Sequence, residues 1–155
     1  MKNNFSFKSA VIAGVIGTAA MTLFTYMAPV MGIEMNIPSM LASTFGAPII
    51  IGWIMHFMIG IILAINFAAL FLQRFGSSNK IKSGSMFSLI PWLMAQVVVM
   101  PMMTIMNGGG YFDGFFSGSI MMVLASLLGH LIYGTVLSLI YKPGISAELA
   151  PQTTI

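Results

Sequence analysis

Apolar and polar positions alternate along this chain in long blocks rather than residue by residue. Four apolar runs, residues 10–31, 49–72, 84–106 and 115–141, are separated by short polar or glycine- and proline-rich intervals. Each run is long enough for a helix to cross a bilayer core, which takes about 20 residues. None shows the sustained period-two alternation of a barrel strand. The pattern predicts an all-α fold: a polytopic membrane protein of four transmembrane helices in a bundle, one domain over residues 1–155. Within the 32–48 interval, Pro38 and Ser39 favour a short interfacial helix through Phe45, broken at Gly46-Ala47-Pro48. Asn107 to Gly114 is glycine-rich and should turn tightly, and residues 73–84 form a polar hairpin. Ser39 and Asp113 are candidate N-caps. Pro91 and Pro101 predict a kink in the third helix, with freed carbonyls that need partners.

A second pattern lies inside the runs. Gly52, His56, Gly60 and Ala64 recur 74 residues later as Ser126, His130, Gly134 and Ser138, and the two histidines are the only ones in the chain. Residues four apart share a helix face, so the second and fourth helices each carry a stripe of small residues around one imidazole. The same shift pairs Lys8-Ser9 with Lys82-Ser83 and Phe67 with Tyr141. This predicts an internal two-fold repeat, helices one and two against three and four, about an axis along the membrane normal. The stripes are expected to mark interior faces. One conflict remains: His56 lies 18 residues from Arg74, and His130 only 12 from Lys142. That offset of about 9 Å of helix rise requires the second helix to extend further or to tilt.

Composition narrows the class. Charged residues make up 6% of the chain and hydrophobic ones 58%, against about 25% charged in ordinary soluble domains. All six basic residues (Lys2, Lys8, Arg74, Lys80, Lys82 and Lys142) flank the runs on one side, which the positive-inside rule makes cytoplasmic. Both termini are therefore expected in the cytoplasm, with the protein in a bacterial inner (plasma) membrane. Glu34 and Asp113 fall in the opposite loops as solvated or capping carboxylates. The net charge of +3 comes from these flanks; without a concentrated basic face a nucleic-acid role is excluded. The first run is too long for a signal peptide and lacks a cleavage site, so it reads as an uncleaved span. With no cysteine, disulfides and thiolate metal sites are excluded.

Gly52-Trp53-x-x-His56-x-x-x-Gly60, His130-Leu131-Ile132-Tyr133-Gly134-x-Val136-Leu137 and Met31-Gly32-Ile33-Glu34-Met35-Asn36-Ile37-Pro38 resemble an uncharacterised family of small four-helix bacterial membrane proteins. The likeness covers nearly the whole chain. It implies the four-helix architecture and no particular chemistry.

Three chemistries compete on the residues. Polar groups in hydrocarbon mark function or interior packing. His56 and His130 on two helices, with Gly60 and Gly134 one turn away to admit a flat macrocycle, are the ligand set a b-type haem (haem b) would need. The same small-residue stripes serve helix packing without any ligand, each histidine then bonding Gln96, Thr22 or a carbonyl freed by Pro91. Thioethers suit Cu(I), and Met27, Met31, Met35, Met102, Met103 and Met106 gather near the outer ends. Methionine is also a common gap-filler in apolar packing. A polar path along Thr18, Thr22, Thr25, Ser88, Trp92, Asn66 and Gln96 would suit a transporter or channel, although such hydroxyls commonly bond back to their own helix. A hydrolase lacks a nucleophile–base pair, and zinc catalysis lacks a third ligand, so no enzyme is expected. The reading is a non-enzymatic accessory or scaffold subunit of a larger membrane assembly. Its partners are the lipid bilayer and other membrane subunits or a second copy, the small-residue faces supplying lateral contacts.

Overall fold

Polar side chains at the edges of the apolar runs set where the helices start. In the computed structural model, which describes residues 4–33, 35–76, 79–116 and 120–144 and Met31 by its backbone alone, Ser6 caps α1 (Phe7–Met27) by accepting from the Ser9 N–H. α1 tightens into a 3-10 turn, Ala28–Met31, and stops at Gly32 in the left-handed region. Asn36 caps α2 (Ile37–Thr44), accepting from the Ser39 N–H. α3 (Ile49–Phe75) follows Pro48 and ends at Gly76, whose φ is +72°. Asn79 caps α4 (Lys80–Met106). A single turn, α5 (Tyr111–Gly114), precedes α6 (Ile120–Ile140).

The fold is all-α, and α1, α3, α4 and α6 are long and apolar enough to cross a membrane. α1 and α4 begin before the expected residues 10 and 84 because their caps lie out in the polar flanks, ahead of the apolar run. Two caps differ from expectation. Asn36, not Ser39, is the cap of α2, and Asp113 sits inside α5, its Oδ2 accepting from the Gly110 N–H at 2.8 Å. Glu34 lies outside the described residues.

The long helices form an arc. α1 packs against α3 on one side and α6 on the other, α6 packs against α4, and α2 lies on α3. Bare glycine faces make these contacts close. A Cβ at Gly14 would fall 2.9 Å from Ala64 Cβ, and one at Gly52 would meet the Pro38 carbonyl of α2. Apolar residues fill the core towards one end, where Ala10, Phe67, Phe71, Phe87, Leu137 and Tyr141 cluster. At that end the chain's two edges pair: Gly144 N–H donates to Asn4 O and Lys142 N–H to Ser9 Oγ, both at 2.8 Å. Lys8, Arg74, Lys80, Lys82 and Lys142 lie at this basic end.

α4 is interrupted as its prolines predict. A π turn, Ala95–Val99, separates its two α-helical parts, and Pro101 has no N–H to give to Val97 O. The orphaned carbonyls are taken up from outside the helix: Tyr111 Oη donates to Val97 O at 2.6 Å and the Phe116 N–H to Gln96 O at 3.3 Å. The segment around α5 is thus tied to the π turn, as buried carbonyls require.

Candidate functional site: a cleft with two imidazoles

The arc leaves α3 and α4 apart. They meet near the basic end through Phe87, whose ring centroid lies 5.1 Å from Phe67 and 5.5 Å from Phe71. Beyond that they diverge around a cleft of about 730 Å³. α3 and α4 form its walls, Thr18 of α1 and Tyr133 of α6 its floor, Met35 and Met40 one end and Arg74 the other. Each wall helix carries a π turn, Phe67–Phe71 in α3 and Ala95–Val99 in α4, a distortion frequent at functional sites. The rim is open: Leu70, Ile90 and Met94 are 65%, 54% and 50% exposed.

Both histidines line this cleft. α3 runs on to Phe75, past the expected 72, which is the longer second helix that the offset between the histidines calls for. Their hydrogen bonds assign a proton to His130 Nδ1 and, with Thr22 Oγ1 spending its own proton on Thr18 O, to His56 Nε2. His130 Nδ1 lies 2.8 Å from Ser126 O; a carbonyl only accepts, so Nδ1 is the donor. Thr22 Oγ1 donates its one proton to Thr18 O at 2.7 Å. It can then only accept from His56 Nε2, 2.9 Å away. A neutral imidazole has one donor and one acceptor nitrogen, so His56 Nδ1 and His130 Nε2 carry lone pairs. Neither has a partner among the described residues. The only fully buried, unpartnered side-chain polar atom among those residues is Trp92 Nε1, so the two lone-pair nitrogens border open space. The space both residues line is the cleft.

The α3 stripe of Gly52, His56, Gly60 and Ala64 is its buried face. The glycines do a different job from the one expected beside a macrocycle. A Cβ at Gly60 would land on Thr18 Oγ1, and one at Gly134 on the Gly84 carbonyl of α4, with Ser88 Cβ at 2.6 Å. Neighbouring helices occupy both bare faces, and Gly134 does not line the cleft. The candidate methionines divide between the cleft and the surface. Met35 and Met103 line the cleft, whereas Met27, Met102 and Met106 are 63%, 50% and 50% exposed, and the Met31 side chain lies outside the description. Thr18 and Thr25 bond back to their own helix, at Gly14 O and Thr22 O. Among the described residues no three His, Cys, Asp or Glu side chains gather as a metal site would need.

Sequence reasoning did not single out Tyr133. Its hydroxyl donates to Gly60 O at 2.6 Å, and its ring lies 3.1 Å from where a Gly17 Cβ would stand, joining α6 to both α3 and α1. The available signal was a tyrosine in mid-span, whose hydroxyl needs a buried partner. Gln96 Nε2 donates to Ser126 Oγ at 3.2 Å, holding α4 to α6 beside His130.

The profile of a family of unknown function, DUF6789, matches residues 6–147. No curated protein and no solved structure matches the chain.

Proposed function

The chain belongs to this family of unknown function, and from that premise we propose that it is a non-enzymatic integral membrane protein whose cleft holds a small bilayer-soluble molecule. One observation carries the reading: the rim at Leu70, Ile90 and Met94 is apolar and open, while two imidazoles stand in the wall. In a bilayer that opening faces acyl chains, so the occupant enters sideways from lipid. Polar groups inside hydrocarbon mark sites by default. The basic end, with both chain edges, is cytoplasmic by the positive-inside rule, and the membrane is a bacterial inner membrane. The role is that of an accessory subunit presenting the held molecule to a larger membrane assembly. α1–α3 and α4–α6 read as a repeat, supported by close contacts of Gly14 with Gly60 and of Ser88 with Gly134, each residue displaced by 74.

The test fills the cleft. Ala95→Trp places a large side chain in its α4 wall. Wild-type protein, purified in mild detergent and extracted with solvent, should yield a defined apolar molecule whose occupancy drops at least about fivefold in the variant, a loss of about 1 kcal/mol of binding. Equal retention by both proteins, with unchanged helicity, would remove the cleft as the site.

The second reading is a b-type haem between His56 and His130, favoured by both rings standing on one cleft. Because His56 Nε2 is held by Thr22, haem would require ligation through Nδ1 or rotation of the ring. It predicts a Soret band lost in both His56→Ala and His130→Ala. Protein that stays colourless after incubation with haem excludes it. Copper handling retains only Met35 and Met103 beside the histidines.

A further inference from the structure

We propose that the cleft selects the reduced, hydroquinone form of a lipid-soluble quinone, its head hydrogen-bonded to His56 and His130 and its hydrocarbon tail lying between α3 and α4. The inference rests on the reading of the cleft as a site for a bilayer-soluble molecule, and it follows from three features.

The first is hydrogen-bond polarity. His130 gives its proton to Ser126 O, and with the Thr22 hydroxyl donating to Thr18 O, His56 gives its own to Thr22 Oγ1. What remains towards the open space is a pair of acceptors on two different helices. Two acceptors call for two donors, and a buried acceptor left unpaired is unfavourable. A hydroquinone carries two O–H donors on one rigid head. Its oxidised form presents two carbonyls, which would face lone pairs. Gln96 Nε2, in the lining, gives one of its two N–H groups to Ser126 Oγ.

The second is charge. Arg74 is the only charged residue among the described residues that line the cleft, at its far end. It lies 18 residues from His56, about 27 Å along a helix. A phospholipid or fatty acid anchored at Arg74 would run its chain past both imidazoles and leave both unpaired. A divalent metal would find no carboxylate among the lining residues to offset its charge. A neutral donor head meets neither penalty.

The third is the lining. Apart from its few polar groups the cleft is aliphatic, aromatic and methionine-rich, with Met94, Met100 and Met103 on α4. Thioethers make favourable contacts with aromatic rings, so an aromatic head suits the wall better than an aliphatic diol, and the remaining length takes a hydrocarbon tail.

The test compares two redox states of one compound. Wild-type protein in quinone-free nanodiscs is titrated anaerobically with a decyl-benzoquinone, with the same compound reduced to the hydroquinone, and with decylbenzene as a headless control. The hydroquinone should bind at least about tenfold more tightly than the quinone, the equivalent of one net hydrogen bond. His56→Leu and His130→Leu should bring the two forms within about threefold of each other while decylbenzene binding persists, since only the head contacts are lost. Equal affinity of the two forms in wild-type protein overturns the proposal, and that comparison needs no variant to fold. A preference that survives in both variants overturns it as well, because the head then lies elsewhere. If all three probes bind equally and Ala95→Trp displaces them, the cleft is a tail-binding site and only the head assignment fails. If none binds, the reading of the cleft fails with it.

Discussion

At position 134 a side chain of any size would collide with the backbone of α4, because the Gly84 carbonyl stands where a Cβ would be. Gly134→Leu should therefore destabilise the protein by about 2–3 kcal/mol through overpacking, seen as a lowered Tm in detergent. Leu139→Ala, at a half-exposed position on the same helix, should have little effect. The histidines give a sharper residue-scale prediction. His56 carries its proton on Nε2 and His130 on Nδ1, so nitrogen NMR of labelled protein should show one ring of each tautomer. Thr22→Val should disturb only the His56 signals. Two rings of the same tautomer would contradict the bonding at Thr22 and Ser126. The sequence made the histidines and their stripes legible, since spacing by four places residues on a common face. It did not show what stands opposite. Gly60 and Gly134 could have opened room for a ligand or for a helix, and only the tertiary arrangement decides that Thr18 and Gly84 fill it.

The interruption of α4 is the clearest case at the scale of elements. Pro91 and Pro101 announce it, but the remedy for the freed carbonyls lies outside the helix, in Tyr111 and Phe116. Tyr111→Phe should lower stability by about 1 kcal/mol, the net worth of one hydrogen bond. In a Pro101→Ala background, where the helix regains its own N–H, the same change should matter much less. The double-mutant cycle in thermal unfolding measures that difference, and additive effects would show that the Tyr111 bond does not serve the proline gap. Helix ends were legible to within a few residues from the edges of the apolar runs, but the caps Ser6, Asn36 and Asn79 and the stop at Gly76 were not singled out. The π turn of α3 was not legible: no residue pattern in Phe67–Phe71 sets it apart from ordinary helix, whereas Pro101 marks the one in α4.

Over the whole molecule, hydrophobicity predicted four long helices, as found, and the described basic residues Lys8, Arg74, Lys80, Lys82 and Lys142 lie at one end. The arc was not legible. A sequence that suits a closed bundle suits an arc equally well, since lipid and protein interiors are both apolar. The small residues that suggested lateral contact with other subunits are occupied within the chain, as Gly14, Gly52, Gly60, Gly84 and Gly134 each press on a neighbouring helix of their own fold. The proposed orientation is testable in the naturally cysteine-free chain. Asn107→Cys should react with an impermeant maleimide in intact cells and Lys82→Cys only after permeabilisation; the reverse pattern would invert the topology. The central claim is that the space between α3 and α4 holds one particular molecule rather than bulk lipid, and photo-crosslinking in native membranes tests it most directly. A photoreactive residue in place of Leu63, on the cleft wall, should capture a single discrete adduct, whereas one in place of Leu124, half-exposed on the outer face of α6, should capture the phospholipid mixture of the membrane. The same phospholipid mixture at both positions would contradict the account.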